Sequence, residues 1–154
     1  MRHLALAFLV PAVLWSSLAS AEYLVRRDLG GSVEDHKEKF AAVRDSGQRV
    51  IIDGVCDSSC TLVLGIVPLS RICVTDQASL GFHMAYYDLA LTDGNKVVSF
   101  LGTAEFMSIY PTAIKEWLGR NGGLTQNAIY LYGPELWAIV KLCDKRDQTK
   151  YRNR

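Results

Sequence analysis

The sequence predicts an α/β fold: β-α-β units on a small, largely parallel sheet, followed by a hairpin and C-terminal helices. Three observations carry this. From residue 23 to 84 the local signals run strand, capped helix, strand, short helix, strand. The run RVIIDGV, starting at Arg49, is β-branched without polar alternation, as in a parallel strand covered on both faces. Beyond Met84 the pattern changes to alternation around Asp93-Gly94 and then to helical periods closed by Gly and Pro signals.

Taken in order, Tyr23 to Leu29 is a short strand ending in Gly30-Gly31. Ser32 caps a helix, with Asp35 three positions on and Val33, Phe40 and Val43 as its apolar stripe, and Gly47 stops it. Arg49 to Val55 is the second strand, and Thr61 to Val67 suits a short buried helix. Arg71 to Thr75 and Ser79 to Met84 read as two strands or one bent one, and Tyr86 to Phe100 as a hairpin. Glu105 to Tyr110 and Thr112 to Arg120 read as helices separated by Pro111. Thr125 to Leu131 and Pro134 to Leu142 read as two more, the second with proline in its first turn. Trp117, Tyr130, Tyr132 and Trp137 are spaced to cover the sheet as core.

The first 21 residues read as a signal peptide: Arg2, an apolar run from Leu4 to Trp15, and Ala19-Ser20-Ala21 before a cleavage near Ala21/Glu22. The run is too short to span a bilayer, which needs about 20 residues. A single domain over 22–143 and a solvated basic tail over 144–154 follow, in a periplasmic or secreted protein with no membrane span after cleavage. The whole chain carries 17 Lys and Arg against 16 Asp and Glu, and loss of Arg2 makes them equal. Such a balance leaves no electrostatic footprint for nucleic acid.

Four cysteines, Cys56, Cys60, Cys73 and Cys143, follow the leader. An even count in an exported chain implies disulfides, in one of three connectivities. Cys60 with Cys73, leaving Cys56 for Cys143, is favoured over the other pairings, while in GVCDSSCT Cys56 and Cys60 also bracket a turn that needs fastening. Zinc on Cys56, Cys60, Cys73 and His83 is the competing use, although the spacing matches no common zinc module. The expectation is no metal and no cofactor.

At the carboxyl ends of parallel strands ligands collect. Gly30-Gly31, Ser58-Ser59 and His83 all fall at such ends, and together they offer N–H donors, a hydroxyl and a base. GGSV at Gly30, GVCDSSCT at Gly54 and ASLGFH at Ala78 resemble the ClpP/crotonase superfamily, and within it a small exported branch of Clp-protease-like proteins. The resemblance covers about residues 23 to 84. It implies Ser58, four after Gly54, as nucleophile in preference to Ser59, with His83 as base. It also implies oxyanion donors in the amides of Gly31 and Ser59.

The chain departs from that family in three ways. The elements that precede the glycine pair in the proteases have no counterpart here, so their ring assembly is not carried over. Asp57 stands where the exported branch has a small residue. The C-terminal match at YLYGPEL puts Ala128 at the acid's position. Asn127 beside it, or Asp88 or Asp93 in the hairpin, is left as the candidate orienter of His83. The function this implies is an exported serine-hydrolase-like protein, a peptidase or esterase with a Ser-His dyad acting on a peptide or acyl substrate. The alternative is a non-catalytic periplasmic domain that binds an envelope protein.

Overall fold

A computed structural model describes residues 21–87 and 97–152. Residues 1–20 of the expected leader, and the expected hairpin turn with Asp88 and Asp93, therefore lie outside the described residues. Strand β1 (Glu22–Asp28) is followed by helix α1 (Val33–Asp45) and strand β2 (Arg49–Asp57). Ser32 caps α1, its Oγ accepting the Asp35 N–H at 3.2 Å, and Gly47 leaves the helix at φ +73°. A 3-10 turn over Ser58–Leu62 runs into helix α2 (Val63–Ile66). Strands β3 (Ile72–Val74) and β4 (Ser79–Phe82) come next.

The sheet is α/β in kind, mixed and mostly parallel. β2 lies between β1 on one edge and, on the other, β3 and then β4 as successive parallel neighbours. The pair read as "two strands or one bent one" is thus two strands that share one edge of β2. Gly54 sits at a register irregularity, where β2 runs three residues from Ile52 to Val55 against two in β1 from Val25 to Arg27, and a Cβ there would lie 2.1 Å from the Arg26 carbonyl oxygen. Only a glycine admits that approach.

The hairpin is present as the antiparallel pair β5 (Tyr86–Tyr87) and β6 (Val97–Val98). Helices α3 (Phe100–Ile109) and α4 (Thr112–Arg120) follow, α3 starting earlier than expected because Ser99 caps it through the Gly102 N–H. The helix expected over 125–131 is not formed. Ile129–Tyr132 is instead strand β7, antiparallel to β4, with Leu131 fully buried and Tyr130 and Tyr132 exposed. Alternating I-Y-L-Y is a strand pattern once a partner edge is available. Of the four aromatics expected as core, Trp117 is buried, whereas Tyr130, Tyr132 and Trp137 are 47%, 64% and 37% exposed.

Helix α5 (Gly133–Ile139) leads to the last difference. The stretch expected as a solvated tail contains helix α6 (Lys145–Arg152), capped by Asp144 Oδ1 and docked on the sheet. Asp147 pairs with Arg49, and the Glu22 carboxylate accepts from Lys150 Nζ and the Tyr151 hydroxyl at 2.6 Å each. Hydrogen bonding from Lys150, then from Tyr151, holds the Glu22 pKa down to about 2, against 4.5 ordinarily. A carboxyl depressed in the folded state stabilises fully above its unfolded pKa and loses that contribution as pH falls towards the folded one. Urea midpoints should therefore fall between pH 4.5 and pH 2 in the native chain, and Glu22→Gln should flatten that fall. Equal acid sensitivity in the two proteins would contradict it.

The two faces of the sheet are separate. Val50, Ile52, Cys56, Leu80 and Phe82 share one cluster with Phe40, Ile114 and Trp117, while Ile51, Cys73, Cys143 and Tyr151 form another. No helix of the described residues is long and apolar enough to cross a membrane.

Candidate functional site

The disulfides are Cys56–Cys60 and Cys73–Cys143, not Cys60–Cys73 and Cys56–Cys143. The reason lies in the register. Cys73 pairs with Ile51 and shares its face, whereas Cys56 lies an odd number of residues along β2, in the opposite cluster with Cys60. Cys73 therefore cannot reach either of the first two cysteines through the sheet. With all four sulfurs bonded, the zinc set of Cys56, Cys60, Cys73 and His83 is not assembled.

The Cys56–Cys60 bond spans the end of β2, where Ser58 takes φ +56°, the one positive φ of a non-glycine residue among the described residues. A side chain in the left-handed region costs about 1–2 kcal/mol, so something must hold it there. Thr61 Oγ1 donates to the Ser58 carbonyl at 2.5 Å and accepts from the Tyr110 hydroxyl at 2.6 Å. Tyr110 is itself buried, and burial pushes its phenol pKa up. Gly30 closes the other side: a Cβ there would lie 2.6 Å from Ser58 Cβ and 3.1 Å from Ser58 Oγ. The glycine pair has φ +83° and +146°, both open to glycine only.

His83 follows β4 directly. Its Nδ1 lies 2.6 Å from the Met84 carbonyl oxygen, which can only accept, so Nδ1 donates there and Nε2 is the ring nitrogen left outside that bond. The ring lies over Tyr86 at 5.3 Å. Ser58, His83 and Gly31 line one cavity of about 530 Å³, whose other walls include Leu29, Val33, Ala85, Tyr86, Tyr87 and Phe106. Among the described residues no hydrogen bond joins Ser58 to His83. The remaining expected members are placed differently. The side chain of Ser59 is fully buried, with Oγ donating to the Gly31 carbonyl at 3.1 Å, so its hydroxyl does not face the cavity. Asn127 is exposed and makes no hydrogen bond to His83, and Asp88 lies outside the described residues.

Asp57 lies over Gly81 at the end of β2 and does not line the cavity. Its Oδ1 is buried without a hydrogen-bond partner of normal geometry. Burial pushes its pKa up, although His83, the Gly81 N–H and Tyr130 act the other way. A carboxyl raised in the folded state destabilises as pH rises through the unfolded pKa of 3.8 to the folded one. Asp57→Ala should thus gain about 1 kcal/mol at pH 7 relative to the native chain, from removing an unsatisfied buried acceptor. In urea unfolding the gain should vanish below pH 3.8, and a loss at pH 7 would refute the account.

One buried set escaped sequence reasoning. His36 is 7% exposed, with Nε2 3.1 Å from Asp28 Oδ1 and Nδ1 3.1 Å from Ser59 Oγ. The signal was available: 33, 36, 40 and 43 share one helical stripe, and a histidine on an apolar stripe needs polar partners.

No family model matches the chain, and no curated protein matches it. Among solved structures it is similar to a ClpP1 variant from Listeria monocytogenes, at 12% identity and TM-score 0.47, over 86% of this chain and 79% of that one. It is also similar to a peptidase from Plasmodium falciparum, at 9% identity and TM-score 0.44, over 83% of this chain and 81% of that one. A third similar structure is described only as an enzyme, at 7% identity and TM-score 0.47, over 83% and 81%.

Proposed function

We propose that the chain is an exported, periplasmic serine-type hydrolase acting on a peptide or ester. The observation that carries this reading is the left-handed backbone of Ser58 at the end of a central strand, on the wall of the cavity that His83 and Gly31 also line. A strained strand-to-helix turn is how a nucleophilic hydroxyl is pushed out of a sheet edge. Ser58 Oγ attacks the acyl carbon, and its proton passes to His83 Nε2. The amides of Gly31 and Ser59 hold the oxyanion, a contribution worth about 10²–10³ in rate per donor. The protonated ring then releases the leaving group, and water, activated by the same nitrogen, hydrolyses the acyl-enzyme. The Met84 carbonyl orients the ring. Two disulfides are compatible with export to an oxidising compartment.

The test is covalent labelling of the oxidised, folded chain by a fluorophosphonate, with loss of labelling in Ser58→Ala. Folded protein that never labels supports the second reading, a periplasmic binding domain for an envelope protein. Among the described residues no hydrogen bond joins Ser58 to His83 and none joins a carboxylate to the ring, which favours that alternative.

A further inference from the structure

The Asp28–His36–Ser59 set is a serine–histidine–aspartate chain distinct from the Ser58–His83 pair, and its serine is sealed from solvent. It has no access to substrate, so its use must lie in where its ends attach. Both attach to the glycine turn. At one end the Gly30 N–H donates to Asp28 Oδ1 at 3.0 Å, and at the other Ser59 Oγ donates to the Gly31 carbonyl at 3.1 Å. Between them, His36 Nε2 donates to the Asp28 carboxylate, while Nδ1 lies 2.9 Å from the Ser32 carbonyl and 3.1 Å from Ser59 Oγ. Lys39 Nζ, 2.8 Å from Asp28 Oδ2, balances the carboxylate charge. Burial raises the Asp28 pKa, but hydrogen bonds from Lys39, His36 and Gly30 outweigh it and keep the group ionised and accepting.

These attachments bracket one peptide unit. The unit before Gly30 is held by its N–H, and the unit after Gly31 is held by its carbonyl. The unit between them carries the Gly31 N–H, which finds no acceptor among the described residues. A peptide between two glycines has no Cβ on either side to resist a flip, so its orientation depends on what clamps its neighbours. Gly31 lines the cavity beside Ser58.

We propose that Asp28, His36 and Ser59 are positioning residues that lock the Gly30–Gly31 peptide in the orientation presenting the Gly31 amide to the Ser58 cavity. The part played by that amide rests on the hydrolase reading above; the lock itself does not. Removing the Ser59 hydroxyl frees the carbonyl end of the turn and leaves the rest of the chain in place.

The experiment compares the native chain, Ser59→Ala and Val43→Ala, the last loosening α1 without touching the set. Amide ¹⁵N relaxation dispersion reads microsecond-to-millisecond peptide flipping at Gly31 and Ser32. Ester hydrolysis and fluorophosphonate labelling read the chemistry. The expected result is dispersion at Gly31 in Ser59→Ala alone. With it goes a fall of about tenfold or more in kcat, as for a misplaced oxyanion donor, with KM changed less than about twofold. Flat dispersion in Ser59→Ala, or the same dispersion in Val43→Ala, overturns the lock, as does dispersion with unchanged kcat in an active enzyme. Dispersion confined to Ser59→Ala in a chain that never labels upholds the lock and removes the hydrolase reading instead.

Discussion

Ser58→Gly is expected to be inactive towards fluorophosphonate and ester and yet more stable than the equally inactive Ser58→Ala, by about 1 kcal/mol. The two variants remove the same hydroxyl but differ in the Cβ. At φ +56° alanine keeps the clash between Cβ and backbone that serine suffers, whereas glycine has none. Glycine carries an entropic penalty of roughly 0.5–1 kcal/mol from its freer unfolded chain, which offsets part of the relief. Elsewhere in β2 the same exchange would cost stability, because a strand glycine loses packing and entropy together. Thermal and urea midpoints of the two variants decide the matter. If glycine is the less stable, Ser58 is not strained and the argument that its backbone is shaped for chemistry fails.

The second large effect separates the two disulfides. Cys73–Cys143 joins positions 70 residues apart and Cys56–Cys60 positions 4 apart. Chain-entropy arguments give losses of about 4 kcal/mol for the first and about 2 kcal/mol for the second when both partners become alanine. Against a typical total of roughly 5–15 kcal/mol, loss of the long-range bond leaves a marginal fold. Loss of the short one leaves a stable fold with a relaxed Ser58 turn. The Cys73→Ala/Cys143→Ala protein should therefore melt far below the Cys56→Ala/Cys60→Ala protein, while labelling per folded molecule falls only in the latter. The reverse ranking in either measurement would refute this division of labour.

What could be read from the residues alone followed how local the cause was. Ser32, Gly47 and the RVIID run define β1, α1 and β2 through caps, stops and branching that act within a few residues. Strand β7 could not be read that way, because Ile129–Tyr132 becomes a strand only against β4, far upstream. The cysteine pairing failed for the same reason: it depends on which face of the sheet each sulfur occupies, hence on the β2–β3 register. At the site, Gly31, Ser58 and His83 were legible as strand-end residues and line one cavity. The strain at Ser58, the orphaned Asp57 oxygen and the His36 chain were not, since each arises from contacts between segments. Asn127 is suggested only by its neighbourhood in the chain, and in the structure it is exposed and makes no hydrogen bond to His83.

The seating of α6 on Glu22 has a consequence for the order in which the molecule can be completed. A polypeptide is made from its N-terminus, so Glu22 and Arg49 emerge long before Asp147, Lys150 and Tyr151, which hold them. The short Cys56–Cys60 loop can close as soon as residue 60 is available, whereas the Cys73–Cys143 bond and the clamp on β1 wait for residues 143 to 151. Until then the first strand lacks its clamp at Glu22, and any nascent or truncated product ending before Lys145 exposes the Ile51–Leu24 face that the final helix helps to cover. A chain that ends before Lys145 should therefore be cut by an added protease within β1 faster than one that includes α6.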